Sequence, residues 1–169
     1  IMDEYSRLHG FSPAVVTGKP VDLFGSKGRE EATGRGVVMA LEEYLKDAHA
    51  GEVKDKTFAV QGFGNVGSWT ARFLRQRGGT VVAVSDVTGA IRYRPGLDIP
   101  SLMEHVKSTR SVLGFPGAET ISNDELLALD VDVLVPAALG GVITMKNVQD
   151  IRARIVLEGA NAPTGPDAD

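Results

Sequence analysis

The chain has 169 residues, 43% hydrophobic and 24% charged, with net charge −4 and a pI of about 5.4; that is one domain with an ordinary core, and its mild acidity argues against nucleic acid or an anionic membrane as partner. There is no cysteine, which excludes disulfides, thiolate metal sites and cysteine nucleophiles. No apolar run reaches the ~18 residues of a membrane span and no signal-peptide pattern opens the chain, so a cytoplasmic location is expected.

Ile1 to Gly10 reads as the tail of a helix ending at glycine, as though the sequence began inside a longer one. Residues 11–28, with Pro13, Pro20 and glycines 18, 25 and 28, read as a loop. A helix follows over 30–48, with Val37, Val38, Leu41, Tyr44 and Leu45 as its apolar stripe. Then strands and helices alternate. Residues 57–61 predict a buried strand, and 64–77 a helix with Val66, Trp69, Phe73 and Leu74 inward, stopped by Gly78-Gly79. Residues 80–85 predict a second strand and 98–108 a weaker helix. A doubtful strand falls near 119–121, and Ser122 with Glu125 has the spacing of a capping box opening a short helix. Residues 131–135 make another strand, Thr144 is a candidate cap for a helix to about 151, and 154–158 make a last strand. Apolar strands alternating with helices imply an α/β, Rossmann-like doubly wound, mostly parallel sheet with helices on both faces. Such a fold has six strands in two halves. Four clear strands and one doubtful one suggest that the last is missing. The domain division expected is a preceding helix and hinge loop over 1–28 and a dinucleotide-binding domain over 29–169.

Gly62-Phe63-Gly64-Asn65-Val66-Gly67 is a G-x-G-x-x-G. Alone the hexamer is a weak signal, but here it follows an apolar strand and opens a helix. Gly62 suits the tight turn, Gly64 lets a pyrophosphate approach the backbone, and Gly67 lets helix and sheet pack closely. The helix N-terminus adds free N–H groups and the positive end of a dipole. Asp86 ends the second strand, where an acid would accept from the adenosine ribose and repel a 2′-phosphate, favouring NAD over NADP. Asp86-Val87-Thr88-Gly89 is also ordinary turn chemistry. Arg92 and Arg94 follow, more suited to a solvated strand but able in principle to take a 2′-phosphate, so NADP or dual use stays open.

The stretch from Gly25 to Gly36 (Gly-Ser-Lys-Gly-Arg-Glu-Glu-Ala-Thr-Gly-Arg-Gly), the Gly-Phe-Gly-Asn-Val-Gly loop, the Pro136-Ala137-Ala138 turn and Glu158-Gly159-Ala160-Asn161 together resemble the glutamate/leucine/phenylalanine/valine dehydrogenase family. The resemblance runs through essentially the whole chain and is nearest to the glutamate branch; the branched-chain and aromatic branches tend to carry alanine at the position of Gly67. It implies a cofactor domain of an enzyme that reversibly deaminates L-glutamate to 2-oxoglutarate and ammonia, within a hexameric parent. It also implies residue roles: Arg29 and Thr33 near the nicotinamide amide, Phe63, Asn65 and Val66 in the phosphate loop, Ala137 and Ala138 beside the cofactor, and Asn161 near the nicotinamide ribose.

The family's catalytic lysine and aspartate belong to an N-terminal domain, and no segment here matches them. Lys27 precedes the Arg-Glu-Glu-Ala-Thr-Gly stretch at a variable hinge position. His9, His49 and His105 have no partnering motif, and no metal-ligand spacing occurs. No catalytic residue is therefore expected in this chain. Leucine, valine or phenylalanine as the parent's substrate, and a nucleotide-sensing module without catalysis, are the competing readings.

Overall fold

The apolar runs of the sequence form one six-stranded sheet in the order β4-β3-β2-β1-β5-β6. The strands are β1 (Thr57–Gln61), β2 (Thr80–Asp86), β3 (Gly89–Arg92), β4 (Glu119–Ile121), β5 (Val133–Pro136) and β6 (Ile155–Val156). A computed structural model describes all of residues 1–169. β2, β1, β5 and β6 are mutually parallel, whereas β3 is antiparallel to β2 and β4 to β3. The mostly parallel expectation therefore holds. The strand left out of the sequence count was β3, glimpsed there only as a solvated strand at Arg92: four residues returning from a two-residue turn, too short to stand out beside the continuous runs.

The chain divides into two units, Ile1–Ala32 and Thr33–Asp169. In the first, α1 (Met2–His9) has Asp3 and Glu4 in its first turn and Arg7 and His9 in its last, the arrangement its dipole favours. Gly10 ends it at φ 79°. Two single 3₁₀ turns, Pro13–Val15 and Val21–Leu23, break the expected loop, and no residue of Ile1–Ala32 is buried.

In the second unit both sheet faces are covered. On one face, Phe58, Val60, Val81 and Val135 meet Val38, Leu41 and Leu45 of α2 (Ala32–Asp47), Ala71, Phe73 and Leu74 of α3 (Asn65–Gln76), and Ile99 and Leu102 of α4 (Ile99–Thr109). On the other, Ala59, Ala83, Ala90 and Leu134 meet Leu126 and Leu127 of α5 (Asn123–Leu127). The buried line of α2 is Gly34, Val38, Leu41 and Leu45, narrower than the expected stripe; Tyr44 is 53% exposed. Trp69 is half-buried, stacked on Phe73 at 5.8 Å with the Arg72 guanidinium over its ring.

The Ser122 capping box forms as read: Ser122 Oγ accepts from Glu125 N–H (3.1 Å), and Glu125 Oε2 accepts from Ser122 N–H (2.7 Å). The backbone N–H of Ser122, and after it the Ser122 hydroxyl, hold the Glu125 carboxyl below its ordinary value. The helix expected from Thr144 to 151 does not form; only Val148–Asp150 makes a 3₁₀ turn. Asn147 explains this. Its Oδ1 accepts from Thr144 N–H (2.8 Å) and its Nδ2 donates to Val142 O (2.8 Å), offering the backbone a local alternative to helix. The last strand is also shorter than read, two residues against the five of 154–158. Its position at the sheet edge has a measurable consequence: in hydrogen exchange the β1 amides should be protected at least ~100-fold more than those of Ile155 and Leu157. Equal protection would contradict this edge assignment.

Candidate functional site

The parallel strands bring three of the sequence motifs together at their carboxyl ends. β1 runs into Gly62, which turns the chain at φ 96°, a conformation glycine adopts without strain. Gly62 N–H donates to Ser85 Oγ (3.2 Å), so the turn is hooked to β2. A Cβ on Gly62 would lie 2.6 Å from Ala138 Cβ, and one on Gly67 would lie 1.7 Å from Gly62 O. These two glycines are demanded by the protein's own packing. Gly64 is not: its φ of −81° suits any residue, and a Cβ there would meet nothing within 4 Å. The middle glycine of the motif thus borders open space.

That space lies at the start of α3. No side chain caps this helix, and its first intrahelical bond runs from Ser68 N–H to Gly64 O (3.0 Å). The N–H groups of Gly64, Val66 and Gly67 precede that bond and have no helical acceptor. Phe63 is 6% exposed, and its side chain belongs to the core cluster that also holds Ala71, Phe73 and Leu74 of α3.

The other two loops close on this turn. Ala137 N–H donates to Gln61 O (2.8 Å), and Pro136 O accepts from both Gly159 N–H (2.9 Å) and Ala160 N–H (3.0 Å). A Cβ on Gly159 would lie 3.1 Å from Ala137 Cβ and 3.4 Å from Val66 Cγ1. Ala138 and Asn161 are exposed on the same two loops. Asn65 is exposed in the first turn of α3 and Thr33 in that of α2. Next to Thr33, Gly34 lets α2 approach Trp69 and Thr70 of α3. Arg29 belongs to the first unit, in an exposed turn.

Asp86 stands at the carboxyl end of β2 as read, but it is busier than expected. Its Oδ1 accepts from Thr88 N–H (2.7 Å) and from the Thr88 hydroxyl, and its Oδ2 accepts from Val112 N–H (2.7 Å). The turn role and a binding role are compatible, since a carboxylate offers about four lone-pair sites and three are taken. Arg92 is held away from this end. It pairs with Ala83 in register, three positions back along β2, and its guanidinium binds Glu119 Oε2 (2.7 Å).

Two residues escaped the sequence reading. Ser85 is 1% exposed and fixes the first glycine; a hydroxyl directly after the apolar run Val81–Val84 was its signal. Gln61 has a buried carboxamide oxygen with no partner; a polar residue closing a buried central strand was its signal.

A mostly parallel sheet covered on both faces, with a glycine turn leading from its central strand into an uncapped helix, defines a Rossmann-type α/β domain. Known proteins narrow this. The chain belongs to the glutamate/leucine/phenylalanine/valine dehydrogenase family, whose model matches residues 25–169. A glutamate dehydrogenase of Thermotoga maritima is 50% identical over 170 residues, covering 99% of this chain and 41% of that protein. Among solved structures, the hetero-hexameric glutamate dehydrogenase of Thermus thermophilus superimposes with TM-score 0.89 at 33% identity, over 99% of this chain and 39% of that one. The glutamate dehydrogenase of Peptoniphilus asaccharolyticus gives 0.77 at 34%, again over 99% and 39%. The chain thus spans about two-fifths of the length of these relatives.

Proposed function

We propose that this chain is the cofactor-binding domain of a glutamate dehydrogenase and that its cofactor is NAD. The observation carrying this is the middle glycine. Two glycines of the turn are explained by packing, whereas Gly64 borders open space beside the N–H groups of Gly64, Val66 and Gly67, a cradle suited to a pyrophosphate. Asp86 keeps one acceptor site on Oδ2 for a ribose hydroxyl. The backbone of Ala137 and Ala138, with Asn161 and Thr33, would orient the nicotinamide end; a role for Arg29 is implied by the family resemblance alone. A bound nicotinamide dinucleotide would supply the hydride acceptor or donor for the α-carbon of glutamate. The chain's own part is to hold and orient the dinucleotide; the proton-transferring groups that the family resemblance implies lie in the other domain, so the chain alone is expected to turn over no glutamate. The parent is expected to be a hexamer, as its Thermus relative is described to be.

NAD is favoured over NADP because a carboxylate stands where the 2′-phosphate would come, and because Arg92 is engaged by Glu119 on the neighbouring strand. Glycine at 67 favours the glutamate branch, since this turn leaves no room for alanine there. Calorimetric titration at fixed salt tests the reading. NADH should bind at least ~10-fold more tightly than NADPH, a difference of about 1.4 kcal/mol, and Arg92→Ala should leave that ratio unchanged. Tighter NADPH binding would refute the role of Asp86, and binding of neither would refute the cofactor reading.

A further inference from the structure

Gln61 carries the one buried side-chain nitrogen or oxygen atom left without a hydrogen-bond partner, its Oε1. Such an atom carries a free-energy penalty that an apolar side chain of the same shape would avoid, so its presence calls for a partner outside the chain, a water or a ligand. Its place in the fold indicates which. Gln61 is the last residue of β1, immediately before the glycine turn, and its backbone carbonyl already accepts from Ala137 N–H. Strand alternation puts its side chain on the sheet face of Ala59, beside its register partner Ser85. Ser85 Oγ is occupied as an acceptor by Gly62 N–H.

We propose that Gln61 is a contact residue of the dinucleotide site, its carboxamide oxygen accepting a hydrogen bond from a ribose hydroxyl of the bound cofactor. The inference rests on the cofactor reading above. A carboxamide oxygen needs a donor, and the pyrophosphate over the turn offers only acceptors. The donors flanking a pyrophosphate in a dinucleotide are the hydroxyls of its two riboses; the adenine and nicotinamide amines lie further out. No hydrogen bond in the protein holds the Gln61 oxygen in its buried orientation, so swinging it toward a ligand breaks none.

Gln61→Met tests this, since methionine matches the length of glutamine and removes the carboxamide. The wild-type and variant chains are titrated with NADH, ADP-ribose and ADP, and their thermal midpoints are measured without ligand. The expected result is a midpoint equal to or above wild type, with the Kd for NADH raised roughly three- to tenfold, the loss of one hydrogen bond. An equal loss with ADP assigns the hydroxyl to the adenosine ribose; a loss with ADP-ribose but not ADP assigns it to the other ribose. An NADH Kd within about twofold of wild type overturns the proposal. So does a midpoint lowered by several degrees, which would make the amide a structural partner of Ser85. If the wild-type chain binds no dinucleotide, the cofactor reading fails and this inference fails with it.

Discussion

Alanine at Gly67 is expected to cost the fold about 3 kcal/mol, the upper end of ordinary overpacking, while alanine at Gly64 should cost it almost nothing and cripple binding instead. At Gly67 the added carbon would lie 1.7 Å from the Gly62 carbonyl oxygen. Gly62 cannot retreat, because its N–H is tied to Ser85 and its α-carbon is packed on Ala138. The better helix propensity of alanine, ~1 kcal/mol, offsets only part of this. At Gly64 the new methyl meets no atom of the protein. It would occupy the space beside the N–H groups of Gly64, Val66 and Gly67, so NADH affinity should fall at least ~10-fold while the thermal midpoint stays within about 2 °C. Denaturation and calorimetry on both variants separate the two effects. A Gly64→Ala chain that binds NADH as wild type does would mean that no pyrophosphate crosses the turn at that point.

The second large effect lies at the opposite end of the strands. Asp132 Oδ2 accepts from Thr57 N–H (2.9 Å) and Thr57 Oγ1 (2.8 Å), and Thr57 Oγ1 accepts in turn from Asp132 N–H (3.0 Å). This reciprocal clamp sets the start of β1 against the approach to β5. Burial alone would raise the Asp132 carboxyl, but the Thr57 bonds, with Lys56 and Arg154 nearby, outweigh it and hold it below its ordinary value of 3.8. A depressed carboxyl stabilises the folded state fully above its unfolded value, and that contribution fades as pH falls through the folded one. Asp132→Ala should cost about 1 kcal/mol at pH 7, the low end of the range for orphaned donors, because Thr57 and Asp132 are only half-buried. The gap to wild type should narrow below about pH 4. Urea denaturation at pH 7 and pH 3 measures it; a gap that does not change with pH would assign the loss to packing.

What could be read from residues alone depended on how local each cause is. β1 and β2 are continuous apolar runs whose burial needs no knowledge of partners, and the Ser122–Glu125 box closes within one helical turn. β3 was less legible because it exists through its pairing with β2, and Gly89-Ala90-Ile91-Arg92 has little periodicity of its own. The false helix after Thr144 failed for the opposite reason: the cap residue was present, but the side chain of Asn147 outcompetes the helix for its backbone. At the site, the glycines announced themselves by spacing, yet the different tasks of Gly62, Gly64 and Gly67 are set by Ala138, by empty space and by a carbonyl oxygen, none visible in a motif. Asp86 was placed at its strand end by order along the chain, whereas its bond to Val112 comes from a segment beyond α4.

The two loops that follow β5 and β6 are laced together: Gly141 N–H donates to Ala162 O (2.9 Å), Ile143 N–H to Pro163 O (3.0 Å), and Gly165 N–H back to Ile143 O (2.8 Å). For anyone recombining homologous sequences, these segments therefore behave as a single cassette. Swapping 137–144 without 159–165 would pit one parent's donors against another parent's carbonyls, and changes on the two sides would not add. Inheritance of both pieces from the same parent is the safe crossover rule, although a stretch of ordinary sequence separates them.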